Sequence, residues 1–200
     1  MNIGGIDIGH HNGLTIIADG PRPRCLFRCK LAGEELYAGA LAAFQTLSVK
    51  LVVIERSVEV LTHGRARKGM PERVSIERAI INSAPFVGHA QLAAQHAGAT
   101  VLLTTATDTR KVLGRIPSAP VGLSGKRMRY DKWIDKVIAS RARLLVDGWE
   151  DGAGDNEHCR DALIAALWGL ARIKLPAALT ATSDERHTRR RRSQITTRRS

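Results

Sequence analysis

Six residues, Val49-Lys50-Leu51-Val52-Val53-Ile54, restrict the fold more than any other stretch of this chain. All but Lys50 are aliphatic, and the run does not alternate between apolar and polar. That pattern reads as a strand buried on both faces, which requires a sheet with helices packed on either side. Glu55 sits at its carboxyl end.

The flanking sequence supplies the rest of an α/β domain. Ile3 to Ile8 is short and apolar, and Gly9 to Gly13 is a polar turn. Leu14 to Ala18 is a second apolar run, ended by Asp19-Gly20-Pro21. Cys25, Phe27, Cys29 and Leu31 alternate with Arg24, Arg28 and Lys30, a strand with one buried face that holds both thiols. Short connections between these three strands predict an antiparallel meander. A short helix is expected over Leu36 to Leu47, a longer one over Glu72 to His96, and a strand over Ala99 to Thr104. Thr107-Asp108-Thr109 reads as a helix cap. Further helices are expected from about Tyr130 to Leu145 and from about Glu157 to Arg172, with Pro176 as the stop. The expected fold class is α/β, a mixed sheet of three antiparallel and then parallel strands flanked by helices. The domain is expected over 1–176, with 177–200 as a basic tail.

Charge narrows the partners. The chain carries 31 Lys and Arg against 19 Asp and Glu, a formal +12. Seven arginines between Ser183 and Ser200 face only Asp184 and Glu185, so this stretch alone carries +5. Its one large aliphatic residue, Ile195, cannot supply a core, and a disordered electrostatic arm is expected. A basic body with a basic arm favours a polyanion. No run of eighteen apolar residues is present, so no membrane partner is expected. The opening residues lack the pattern of a secretory signal, and three cysteines make no disulfide framework. A cytoplasmic protein with a nucleic-acid partner is the expectation.

Four positions carry candidate chemistry. Asp7 is a charge in an apolar strand, costly to bury without a counter-ion. Glu55 ends the central strand. His158 and Asp161 lie three apart on the last helix and so share a face, about 60° apart. Read singly, each has an ordinary alternative: a capped turn, a strand-end surface charge, a solvent-facing helix pair. Read together, three carboxylates would repel unless cations neutralise them. Oxygen ligands suit Mg²⁺ or Mn²⁺, and an imidazole favours Mn²⁺. Two such ions roughly 4 Å apart can activate water and stabilise the leaving oxygen of a phosphodiester. Arg65, Arg67 and Lys68 follow Glu55, and Lys126, Arg127, Arg129 and Lys132 precede or open a helix. Both groups are expected to hold a nucleic-acid backbone without reading bases. Aromatic residues are only 4% of the chain, which disfavours a stacking platform for single strands.

These residues resemble a family. Gly5-Ile6-Asp7-Ile8-Gly9 followed by Asn12-Gly13-Leu14-Thr15-Ile16 is similar to the first acidic strand and hairpin of the RuvC-type Holliday junction resolvases, which have the ribonuclease-H-like fold. Leu51 to Arg56 is similar to their strand ending in the second catalytic glutamate. Val101-Leu102-Leu103 through Thr109-Arg110-Lys111-Val112-Leu113-Gly114 is similar to the strand and small helix that carry a basic pair, Arg110 and Lys111 here. His158 to Ala166 resembles their final helix. The resemblance spans roughly residues 1 to 172. It implies an endodeoxyribonuclease of recombination and repair that binds two divalent cations through Asp7, Glu55, His158 and Asp161. It also places Lys126 and Lys132 near the scissile phosphate. It implies a homodimer making paired nicks in branched DNA; separately, the apolar content of Phe86 to Ala97 offers a candidate interface face or, alternatively, ordinary core. Phage and phage-like relatives include small cores with basic additions. One departure is plain: the family presents an aromatic wedge after the glutamate, whereas Ser57 to Met70 contains no Phe, Tyr or Trp.

Other readings stand beside this one. A nuclease of the same fold acting on flaps or replicating DNA fits the same residues. So does a nucleic-acid-binding protein with a vestigial site. The Gly5 to Gly9 segment also resembles the phosphate loop of actin-like ATPases, but 200 residues leave no room for their second lobe. No nucleotide cofactor is therefore expected.

Overall fold

A computed structural model describes residues 1–9, 11–56, 72–114, 117–121, 128, 130–149 and 157–174. Met1–Leu170 forms one compact unit and Ala171–Ser200 a second, of which only the last turn of a helix is described. The strands are β1 (Asn2–Asp7), β2 (Asn12–Ala18), β3 (Arg24–Leu31), β4 (Val49–Arg56) and β5 (Thr100–Thr105). The helices are α1 (Leu36–Thr46), α2 (Glu72–His96), the single turn α3 (Ala106–Thr109), α4 (Tyr130–Leu145) and α5 (Glu157–Lys174), with a 3-10 turn at Arg110–Leu113. The strand order is β3-β2-β1-β4-β5. The first three strands form the expected antiparallel meander, and β4 and β5 add in parallel to β1.

Period-two alternation sorts the sheet into two cores. Leu51 and Val53 of β4 join Ile3, α4 residues Ile134 and Ile138, and α5 residues Leu163, Ala166 and Leu170 on one face. Val52 and Ile54 join Ile6, Leu14 and Ile16 with Phe44 of α1 and Ala90 and Ala94 of α2 on the other. The central strand is thus buried on both faces, as its composition requires. Each fully buried Leu or Ile contributes roughly 1.5–3 kcal/mol, so the two layers hold the sheet between them. The same alternation directs the charges. Two residues beyond Val53 is Glu55, and four beyond Ile3 is Asp7; both project towards the α5 face.

Two glycines let α5 lie directly on that face. A Cβ at Gly5 would sit 1.9 Å from the Ala162 carbonyl oxygen, and one at Gly13 would sit 2.1 Å from the His158 carbonyl oxygen. These are backbone atoms, so no side-chain rearrangement could make room. The Thr15 hydroxyl then donates to the Cys159 carbonyl at 2.8 Å in a buried bond, fixing the first turn of α5 over β2.

The alternation in β3 does not run unbroken. Ile16 pairs with Phe27 but Ile17 pairs with Cys25, leaving Leu26 as an extra residue. The bulge reverses the facing of what precedes it. Cys25 packs against the α5-side core and Cys29 against the α1-side core, so the thiols do not share one face. The stretch from Phe86 to Ala97 is also largely committed within the fold: Ala90, Ala93 and Ala94 are fully buried, and Leu92 remains exposed. No helix among the described residues is long and apolar enough to cross a membrane.

Candidate active site

The carboxyl ends of β1, β4 and β5 lie on one edge of the sheet, because these strands run parallel. Asp7 and Glu55 are direct neighbours in the β1–β4 register. On its other side Asp7 opposes Gly13, whose missing side chain admits the start of α5. This brings His158 to Asp7, with Nδ1 2.7 Å from Oδ2. Gly9 leaves room for the ring, since a Cβ there would lie 3.2 Å from His158 Cε1. His11 packs edge-on against the same ring.

The fourth wall comes from the end of β5. Thr104 and Thr105 pair with Glu55 and Arg56, and Thr105 caps α3 by accepting the Asp108 backbone N–H at 3.3 Å. The cap therefore lies two residues before the expected Thr107-Asp108-Thr109, because Thr105 is the last residue in extended conformation. Thr109 then falls beneath Glu55, and its hydroxyl donates to Glu55 Oε2 at 2.7 Å. Arg110 follows, with a guanidinium nitrogen 4.0 Å from Asp161 Oδ2.

The electrostatics are those of crowded anions. Glu55 is only 5% exposed. Burial, then the charges of Asp7 and Asp161, push its carboxyl up to about 8; the Thr109 hydrogen bond and Arg110 act in the opposite direction. The Asp7 hydrogen bond holds the His158 imidazole above the usual histidine range, against the opposing effect of burial. The nearby charges of Asp7, Glu157 and Asp161 add to the upward shift.

Among the described residues, no three His, Cys, Asp or Glu side chains close round one point as a formed metal cage. The donor chemistry nevertheless fits hard divalent ions. Burial and then the charges of Asp7 and Asp161 raise Glu55, the His158 imidazole is hydrogen-bonded to Asp7, and a cation beside these groups would oppose that shift.

The remaining sequence candidates are distributed differently. Lys111 pairs with Asp108. Lys132 is exposed near the start of α4, and no ion pair joins it to Asp7, Glu55 or Asp161 among the described residues. Arg65, Arg67, Lys68, Lys126, Arg127 and Arg129 lie outside the described residues, as does the arginine-rich tail. Sequence reasoning missed Thr109 as a partner of Glu55 and His11 as a partner of His158. Thr109 immediately precedes the basic pair, but nothing local points it at a residue 54 positions away.

No protein-family model matches this chain, and neither does any curated protein sequence. Solved structures do. A Thermus thermophilus RuvC structure superposes with a TM-score of 0.56 at 19% identity, covering 86% of this chain and 96% of that one. T. thermophilus RuvC in complex with a Holliday junction substrate gives 0.57 at 17% identity, covering 87% and 96%. The chain has the ribonuclease-H-like fold. Asp7 and Glu55 stand where the parallel strands β1 and β4 end.

Proposed function

We propose that the chain is a metal-dependent endodeoxyribonuclease that resolves four-way DNA junctions by paired nicks, acting as a homodimer. One observation carries the reading: Asp7, Glu55, His158 and Asp161, from three separate elements, come together at one sheet edge, where Asp7 and Asp161 help to raise both Glu55 and His158. The likeness in fold to RuvC, one structure of which holds a Holliday junction substrate, supports the choice of branched DNA.

Asp7, Glu55, His158 and Asp161 would hold two divalent cations, Mg²⁺ or Mn²⁺. Such ions, when bound, activate a water and stabilise the leaving oxygen of a phosphodiester. The chain's own residues do the rest. Asp7 fixes the His158 ring, and Arg110 sets a positive charge beside Asp161 where a phosphate would enter. Arg65, Arg67, Lys68, Arg110, Lys111, Lys126, Arg127, Arg129 and Lys132 supply the backbone-holding charge, and the family resemblance assigns Lys126 and Lys132 to the scissile phosphate.

Labelled junction, flap and linear duplex DNA, incubated with Mg²⁺ or Mn²⁺ and with chelator, test this. Symmetric nicks on the junction that vanish with chelator are expected. Asp7→Asn, Glu55→Gln and Asp161→Asn should each lose cleavage while keeping junction affinity. Full cleavage by Asp7→Asn would remove the site. The wedge-free, basic segment from Ser57 to Met70 favours a second reading, a nuclease for flaps or replicating DNA. Preference for the flap substrate would select it, and binding without cleavage would leave a vestigial site.

A further inference from the structure

We infer that Thr109 is a positioning residue for Glu55: its hydroxyl fixes the carboxylate in the orientation that receives a divalent cation. The inference rests on the metal-site reading above and adds a residue outside the proposed ligand set.

The geometry is specific to a hydroxyl. Thr109 Oγ1 lies 2.7 Å from Glu55 Oε2 and 3.2 Å from the Ala106 carbonyl oxygen. A hydroxyl has one proton to give, and the nearer acceptor, Glu55 Oε2, takes it. The bond occupies Oε2 and leaves Oε1 as the oxygen without this constraint. Thr109 is fully buried and Glu55 nearly so, so water cannot readily replace the lost donor. A carboxyl group at the end of three side-chain torsions would otherwise sample several orientations beside Asp7 and Asp161. Thr109 itself is held rigidly, because the Thr105 cap and the β4–β5 pairing anchor its turn to the strand that bears Glu55. Hydrogen bonds to ligating groups orient them and tune metal affinity.

The test measures Mn²⁺ binding to the full chain by calorimetry, without DNA. Thr109→Val keeps the shape and removes the donor; Thr109→Ser keeps the donor. Thr109→Val should weaken Mn²⁺ binding roughly 10- to 100-fold, with Thr109→Ser within about threefold of wild type. Unchanged binding in Thr109→Val overturns the inference. Equal loss in both variants also overturns it, since the methyl packing would then be what matters. Circular dichroism and melting in chelator establish folding. Should Thr109→Val not fold, Thr109→Ala takes its place. If neither folds while Thr109→Ser does, the hydroxyl is a folding determinant, and the assignment falls. Asp7→Asn is measured alongside. Loss of binding there with none in Thr109→Val rejects only the positioning role, whereas Mn²⁺ binding unaffected by Asp7→Asn rejects the site itself.

Discussion

His158 Nδ1 stands 2.7 Å from Asp7 Oδ2, joining residues 151 positions apart in the chain. The carboxylate accepts, so Nδ1 carries the hydrogen, and in the neutral ring the lone pair is on Nε2. One contact therefore sets both the tautomer and the orientation of the imidazole. The pair is partly accessible, with 22% of the His158 and 14% of the Asp7 side chain exposed, so solvent and ions can reach it.

Metal preference should follow from this imidazole. Nitrogen favours Mn²⁺ over Mg²⁺, so wild-type cleavage should be better with Mn²⁺. Protonation removes the lone pair, and the Asp7 bond raises the pH at which this begins. Cleavage should thus decline on acidification sooner than an ordinary histidine would dictate. His158→Asp should keep activity, improve relative use of Mg²⁺ and extend activity to lower pH. His158→Ala should be weaker than either. Metal titrations across pH for all three decide the matter; identical preferences and profiles would take His158 out of the site.

Stability of the metal-free chain should fall as pH rises. Glu55 binds its proton more tightly folded than unfolded, with its pKa raised from 4.5 to about 8. Across that interval the unfolded chain has lost the proton that the native chain keeps, so deprotonation favours unfolding. His158 is raised too and acts in the same direction, its contribution being lost as pH rises through its folded-state value. The Glu55 contribution is on the order of a few kcal/mol. Denaturant titrations in chelator between about pH 5 and 8 should show the slope, and Glu55→Gln should flatten it. A wild-type stability that does not change over this range would contradict the burial of Glu55 beside Asp7 and Asp161.

The contact between α5 and the sheet should tolerate no side chain at Gly13. Gly13→Ala forces a methyl into the His158 backbone, where the gap is 2.1 Å. The helix start must move, at a cost of roughly 1–3 kcal/mol or more. Because the displaced turn carries His158, Mn²⁺ affinity should fall together with melting temperature. Gly88→Ala, where a Cβ meets nothing within 4 Å, is the control. Equal behaviour of the two variants would refute the close approach.

Deleting Ser183 to Ser200 should weaken binding to every DNA structure and leave the cut position unchanged. The segment carries seven arginines. Every phosphate that the arm neutralises adds about 0.9 to the log–log slope of affinity against salt, so the truncated chain should bind with a shallower slope. Gel shifts at several salt concentrations measure it. An unaltered affinity and slope would show that the tail is not a DNA arm.

The elements were legible because their signals are local. The unbroken apolar run at Val49–Ile54 required cover on both faces, and the structure supplies α1 and α2 on one side and α4 and α5 on the other. Asp7, Glu55, His158 and Asp161 stood out because a charge in or beside an apolar element needs a reason. The bulge at Leu26 was not legible, since one extra residue leaves no compositional mark, and it reversed the facing of Cys25. For Phe86 to Ala97 both core and interface fitted the sequence, because small residues suit either, and burial of Ala90, Ala93 and Ala94 selects core for those three.

By itself the sequence determined which segments are strands and helices, and which carboxylates and histidine lack an apolar role. These follow from periodicity and the cost of burying charge, both properties of neighbouring residues. Only the tertiary structure decided that Asp7 sits beside Glu55, that Gly13 admits His158 to Asp7, and that Thr109 and Arg110 reach Glu55 and Asp161. Those relations depend on strand register and helix docking. They are set by which distant surfaces pack best together, a quantity that no local window of sequence contains.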